Sequence, residues 1–412
     1  MLGRVSIAAA LLLLLGCQGW AAPLSPEEAV RRALAAHPKL KQARALTEAA
    51  VAYSDGAGAL PNPTLQLAAV HGDADESSNS LSQVFEIAGQ PGLRQKIADE
   101  SAAASTASEA ALRGKVGLQA AIAYYDYWEA AQVVEQADAQ SELASQLEKA
   151  AAGRFALGEI SANEKLRLEL EARQVVTARV EARGQLELAE QTLSLLLEEP
   201  GPFEMPSQAD SLPLAPLLPL PGEAELLSRF ETEVEGRPEL EEARREAAAA
   251  EWQAKLAGRA GAPDLQLSAY RSTWSNTAEQ GVQLAVVVPL FDWGRLGAEH
   301  AREKKLAEAR AHQVEVVRRE VVAEARGAAT RYRVAQEQRQ AMAQQASEYA
   351  ELSRTAAQGY EVGLLGLVEV LDATSAYRRS LRDYIEAEAD FHRARAELWW
   401  AVGRSLDRGA DE

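Results

Sequence analysis

Residues 263–291 read PDLQLSAYRSTWSNTAEQGVQLAVVVPLF. Polar and apolar side chains alternate on either side of Ser275-Asn276-Thr277, the pattern of a β-hairpin. Pro263 to Trp274 is one expected strand and Gly281 to Phe291 the other; Val282, Leu284, Val286, Val288 and Leu290 share a face. A second candidate hairpin lies earlier, where Thr64 to Val70 and Leu81 to Ile87 flank the acidic loop Gly72 to Ser80. Strands of about nine to eleven residues suit a tilted membrane crossing. Four of them cannot close a barrel, since membrane barrels start at about eight strands, and open edges are not tolerated in lipid. If these strands span a membrane, several copies of the chain share one barrel. A small periplasmic sheet is the alternative.

The sequence around the hairpins is helical in character. Seven of the 16 prolines fall between Pro200 and Pro221, none between residues 92 and 199, and none after Pro289. Those Pro-free stretches are rich in Ala, Glu, Leu, Arg and Gln, the strong helix formers. Each has one interruption, Gly153 to Gly158 and Gly359 to Gly366, so each reads as two long antiparallel helices joined by a turn. At 1.5 Å per residue, helices of roughly 50 to 60 residues span some 75 to 90 Å. Leu143 and Leu147, then Leu186, Leu193 and Leu197, give an imperfect heptad spacing that predicts coiled-coil-type packing.

The chain also repeats itself. His37-Pro38-Lys39-Leu40 matches Arg237-Pro238-Glu239-Leu240, and Leu65-Gln66-Leu67 matches Leu265-Gln266-Leu267, both offset by 200 residues. Phe155-Ala-Leu-Gly158 matches Tyr360-Glu-Val-Gly363 at an offset of 205. Two homologous halves follow, 24–199 and 223–406, with 200–222 as a Pro-rich linker and 407–412 as a tail.

Residues 1–22 read as an export signal, with Arg4 as its basic region and Ile7 to Leu15 as its apolar core. Two processing sites compete: cleavage after Gly19-Trp20-Ala21, or a lipobox at Leu14-Leu15-Gly16-Cys17 that would lipidate Cys17. No other stretch has the length of a membrane helix, so any crossing is by β-strands. With 61 acids against 43 bases the formal charge is −18, which argues against a nucleic-acid partner. Five His, three Met and one Cys leave little for a transition-metal centre and nothing for an internal disulfide.

Two repeats of helix, hairpin, long helix and long helix behind an export signal resemble the TolC-type outer-membrane efflux proteins. Leu24-Ser25-Pro26-Glu27-Glu28-Ala29-Val30 with His37-Pro38 is similar to that family's start. Val288-Pro289-Leu290-Phe291-Asp292-Trp293-Gly294-Arg295 is similar to its strand-to-helix transition, and Tyr360-Glu-Val-Gly363 with Val368-Glu369-Val370-Leu371-Asp372-Ala373 to its second helical turn. The resemblance covers the mature chain. It implies a mainly α homotrimer whose four strands per chain form a twelve-stranded barrel in outer-membrane lipid, on an α-helical tunnel through the periplasm. It also implies an exit duct docked through a periplasmic adaptor to an inner-membrane pump such as an RND transporter, with no cofactor. The short outer loops and Phe155-Ala-Leu-Gly-Glu-Ile-Ser161 resemble the heavy-metal (CzcC/CusC-like) branch.

Two sets of positions are candidates for mechanism. The resemblance implies that the turns Phe155/Gly158/Ser161 and Tyr360/Gly363/Gly366 form the periplasmic mouth and meet the adaptor; Gly permits the close backbone approach such a contact needs, and an exposed aromatic is expected beside each turn. Simple chain reversal is the other explanation. Glu369 and Asp372 lie three apart on one helix face, and three copies would place six carboxylates around a narrow, cation-favouring ring. A solvated helix face would look the same, and a pairing with Arg378 or Arg379 that latches a closed state is also open.

Catalysis has no support: His37, His71, His300, His312 and His392 lack metal-ligand spacing, and no phosphate loop or nucleophile elbow is present. Trp274 and Trp293 bracket the second hairpin as an interfacial belt would, while Trp399-Trp400 is expected to pack against helices. A periplasmic coiled-coil adaptor or spacer is the second reading, but it should carry one helical hairpin beside a Gly-rich β-domain, and the chain shows none.

Overall fold

The computed structural model describes residues 23–70, 76–206, 233–274, 277–289, 291–362, 364–404 and 406. The export signal with Cys17, most of the linker, the tail and Gly363 lie outside them. Helices α1 (Pro26–Ala36) and α2 (Pro38–Ala57) lead to strands β1 (Thr64–Val70) and β2 (Glu76–Glu86), then α3 (Gln90–Ala156) and α4 (Ala162–Leu197). The order recurs after a 3-10 turn at Val234–Gly236: α5 (Pro238–Ala257), β3 (Asp264–Trp274), β4 (Thr277–Val287), α6 (Arg295–Glu361) and α7 (Leu367–Ala401). Both α3 and α6 are 67 residues long, beyond the 50 to 60 expected from sequence.

The boundaries follow from local chemistry. Ser25 caps α1 by accepting from the Glu28 N–H at 3.2 Å, with Pro26 at the first helical position and Glu27 and Glu28 in the first turn. Pro38 and Pro238 each open the next helix, because a proline there gives up no needed hydrogen bond. At the second of these joints Arg237 is 1% exposed and forks onto Glu239, Nη2 to Oε1 at 2.8 Å and Nε to Oε2 at 3.1 Å.

The chain divides into two compact units. The unit holding residues 38–113 and 228–323 contains the sheet. The other holds residues 1–37, 114–227 and 324–412, of which the described part is helical with an aromatic core. In it Tyr124, Tyr127 and Trp128 of α3 grip two extended segments. The Tyr124 hydroxyl donates to the Leu24 carbonyl at 2.8 Å, Tyr127 Oη to Phe203 O at 3.2 Å, and Trp128 Nε1 to Pro206 O at 3.2 Å. Leu24 N–H in turn donates to Glu204 O at 2.8 Å. Buried aromatics with satisfied polar tips thus hold the start of α1 and the start of the linker together. On α4 the buried positions Leu168, Ala172, Val175, Ala182, Leu193 and Leu197 follow a heptad rhythm. Trp400 packs on α3: a Cβ at Gly114 would sit 3.1 Å from its Nε1.

The same unit encloses an ionic cluster. Glu388 is 1% exposed and accepts from Arg339 Nε at 2.8 Å. His392, stacked on Tyr125 at 5.2 Å and edge-on to Phe391, brings Nε2 within 3.3 Å of Glu388 Oε1, but without hydrogen-bonding alignment. Burial first, then the charges of Arg395 and Arg339, hold the His392 imidazole below its usual range against the pull of Glu388. Because the folded protein disfavours the protonated form, the unfolded chain takes the proton first. Stability contributed by neutral His392 is therefore complete above about pH 6.5 and is lost as the pH falls through the depressed folded value. Thermal unfolding of the mature protein should show a midpoint that drops below pH 6.5, and His392→Phe should flatten that drop. An unchanged pH slope in the variant would rule the imidazole out as its source.

Candidate pore elements

The four strands form one antiparallel sheet in the order β1-β2-β3-β4, the two hairpins joined through β2 and β3. Two strands start earlier than expected. The strand β2 begins at Glu76 and not Leu81, because Ser77 to Ser80 are laddered to β1 on one side and β3 on the other. Their polar side chains hid a strand that its backbone partners hold in place. Likewise β4 begins at Thr277, opposite Trp274, and not at Gly281. It ends at Val287 and not Phe291, since Pro289 has no N–H for the ladder. Asp292 then caps α6, accepting from Leu296 N–H at 2.9 Å and Gly294 N–H at 3.2 Å.

Register gives the sheet two different faces. One carries Leu65, Leu81, Phe85, Leu265, Leu267, Ala269, Val282, Leu284 and Val286. The other carries Thr64, Gln66, Ser78, Ser80, Ser82, Gln266, Ser268, Ser272 and Gln283. In a water-soluble sheet the apolar face would be covered. Here Val282 is 75%, Leu284 69% and Leu65 63% exposed. The apolar face is bounded at one end by Arg271, Asn79 and Gln280, which share a register row. Past the other end come Phe291 and Trp293, 83% and 96% exposed, placed as an aromatic girdle would be. Of Trp274 only the backbone is described. The outer strands β1 and β4 each have a neighbour on one side only.

The first helical turn is short. Helix α3 runs through Gly153 and ends at Ala156, so Gly158 alone makes the reversal, at φ +77°. Its N–H donates to Phe155 O at 3.0 Å, and Glu159 N–H to Arg154 O at 3.0 Å. Ser161 opens α4 with a capping box: its hydroxyl accepts from Glu164 N–H at 3.2 Å, and Glu164 Oε2 accepts from Ser161 N–H at 2.7 Å. Phe155 is 41% exposed under the Lys165 ammonium, and Leu157 is 76% exposed. An L side chain at the left-handed position costs about 1–2 kcal/mol. Gly158→Ala should therefore lower the thermal midpoint by a few degrees while Gly153→Ala, inside a helix with open space around it, should not.

The second turn differs from its expected form at two positions. Tyr360 is not an exposed aromatic: its ring packs on the Ala151, Leu168 and Leu367 cluster, and its hydroxyl accepts from Arg154 of the first turn. Gly359 lies inside α6, where a Cβ would meet Leu365 Cδ1 at 2.8 Å, so its role is to let Leu365 fold back. Gly366 is the N-cap of α7 at φ −82°, an ordinary extended conformation.

Glu369 and Asp372 are both exposed in the first two turns of α7, and among the described residues neither forms an ion pair. The alternative of a latch to Arg378 or Arg379 finds no ion pair among the described residues of the protomer. Arg378 pairs with Glu171 of α4, and its carbonyl accepts from Gln136 Nε2 at 3.0 Å. Glu369 also sits close to the start of its own helix. Its carboxylate lies over the Gly366 backbone, 2.6 Å from where a Cβ would stand, at the position Glu164 occupies in the first repeat's capping box. Among the described residues no His/Cys/Asp/Glu group has metal-holding geometry, and no helix is long and apolar enough to cross a membrane.

Long helices carrying a two-faced, open-edged sheet define the fold of outer-membrane channels. The solved structure of CusC superposes with a TM-score of 0.80 at 18% identity, covering 94% of each chain. The open-state MtrE channel of Neisseria gonorrhoeae gives 0.80 at 18%, covering 94% of this chain and 91% of that one. VceC of Vibrio cholerae gives 0.75 at 18%, covering 94% and 97%. Residues 231–404, within the second repeat, match the family model described as Outer membrane efflux protein. No curated protein matches the chain by sequence.

Proposed function

We propose that the protein is the outer-membrane exit duct of a tripartite efflux system, a passive channel and not an enzyme. The observation that carries this reading is the sheet: an uncovered apolar face, a polar face opposite, and two edges that one chain cannot satisfy. Three copies joined edge to edge give twelve strands, enough to close a barrel with the apolar face in lipid and the polar face around water. The helices carry the duct into the periplasm. The turns at Phe155, Gly158 and Ser161 and at Tyr360, Gly363 and Gly366 meet the adaptor that links the duct to an inner-membrane pump. The apolar tips Leu157, Val362 and Leu364, 76%, 71% and 81% exposed, supply the contact area for that docking. CusC and MtrE superpose equally well, so the fold alone selects no cargo. Native mass spectrometry of the detergent-extracted protein should give three chains per particle. A monomer in every detergent that preserves the fold would sink the reading.

A further inference from the structure

Tyr270 and Gly281 stand directly opposite each other on β3 and β4, both on the polar face of the sheet. Tyr270 is the one aromatic residue there among the described strand positions with a described side chain. Its neighbours on that face are small: Ser80 across the β2 ladder, and Ser268 and Ser272 along its own strand. The ring lies across Gly281. A Cβ built on that glycine would be 2.9 Å from the Tyr270 hydroxyl oxygen, 3.0 Å from Cζ and 3.1 Å from Cε1. Glycine in a strand interior weakens it, and a cross-strand aromatic covering the bare backbone restores part of the loss. Since β3 is laddered on both sides, a side chain at 281 could be accommodated only by lifting the ring.

We infer that Gly281 sets the bore of the barrel by letting the Tyr270 ring lie flat on its inner wall. This rests on the channel reading, in which the polar face lines the lumen. Three rings lying flat leave a wall of serine hydroxyls and amides; three rings raised from it form a constriction at one level. Gly281→Ala and Gly281→Val should narrow the pore in that order, and adding Tyr270→Ala to either should restore it. Tyr270→Ala alone should change the bore little, because a flat ring occupies little of the lumen.

The test is polymer exclusion in planar bilayers with the mature trimer. Polyethylene glycols of graded size are added on the side of the hairpin ends, and the largest that still lowers the current gives the bore of the barrel. The cut-off should fall in both Gly281 variants and return in the doubles. Tyr270→Ala carries no clash and assembles whatever the glycine variants do; a clearly larger cut-off in it would show a projecting ring and overturn the inference. An unmoved cut-off in assembled Gly281→Val would overturn it as well. Native protein that carries no current overturns the channel reading and this inference with it.

Discussion

Leu284→Arg should abolish recovery of the protein from the outer membrane as an assembled trimer, whereas Gln283→Arg, one residue away, should assemble. The two side chains lie on opposite faces of β4. Leu284, in the same register row as Gln83 and Leu267, sits in the middle of the apolar face and is 69% exposed. An arginine near the middle of a bilayer costs roughly 2–4 kcal/mol, and a trimer carries three. That sum rivals the whole stability of a typical domain. On the polar face the same residue meets water, and its effect moves from assembly to ion selectivity. Fractionation followed by unheated gel electrophoresis separates the outcomes. If both variants assemble alike, the sheet does not sit in lipid by this register.

The second large effect is expected at Glu369 and Asp372. In a trimer, Glu369→Ala/Asp372→Ala removes six carboxylates from one level of the helical tunnel. If they ring an aperture, cation preference in a salt gradient should fall several-fold and single-channel conductance should rise. The position of Glu369 over Gly366 suggests a second job at the start of α7, where a carboxylate favours the helix N-terminus. Glu369→Gln separates the two, since an amide can still lie over that backbone but carries no charge. Selectivity lost in Glu369→Gln with an unchanged thermal midpoint assigns the aperture role. Selectivity kept in the double variant leaves a helix-terminal residue and a solvated aspartate.

Much of this architecture was legible because periodicity and proline placement act locally. The Pro-free stretches predicted α3, α4, α6 and α7, and Pro38 and Pro238 marked equivalent joints. The alternation from Leu265 to Val286 showed the two faces of the second hairpin. What escaped was whatever a distant partner decides. Ser77 to Ser80 have no strand composition, yet β1 and β3 hold them in register. Tyr124, Tyr127 and Trp128 read as ordinary helix residues until the carbonyls of Leu24, Phe203 and Pro206 appear beside their polar tips. Tyr360 looked exposed because its cover, Leu168 of α4 and Arg154 at the end of α3, belongs to the other repeat. Arg378 lies roughly two turns beyond Asp372 and two and a half beyond Glu369 on the same helix, but Glu171 on another helix takes it. A carboxylate ring, too, would form only between chains, so no single chain could display one.

The most direct test of the central claim is ionic current through the purified, membrane-inserted protein. Discrete, reproducible current steps in planar bilayers, from native protein and from Glu369→Ala/Asp372→Ala, are what a trimeric channel predicts. A folded, inserted trimer that passes no current in either form would contradict it, and would leave the periplasmic spacer as the better account of the helices.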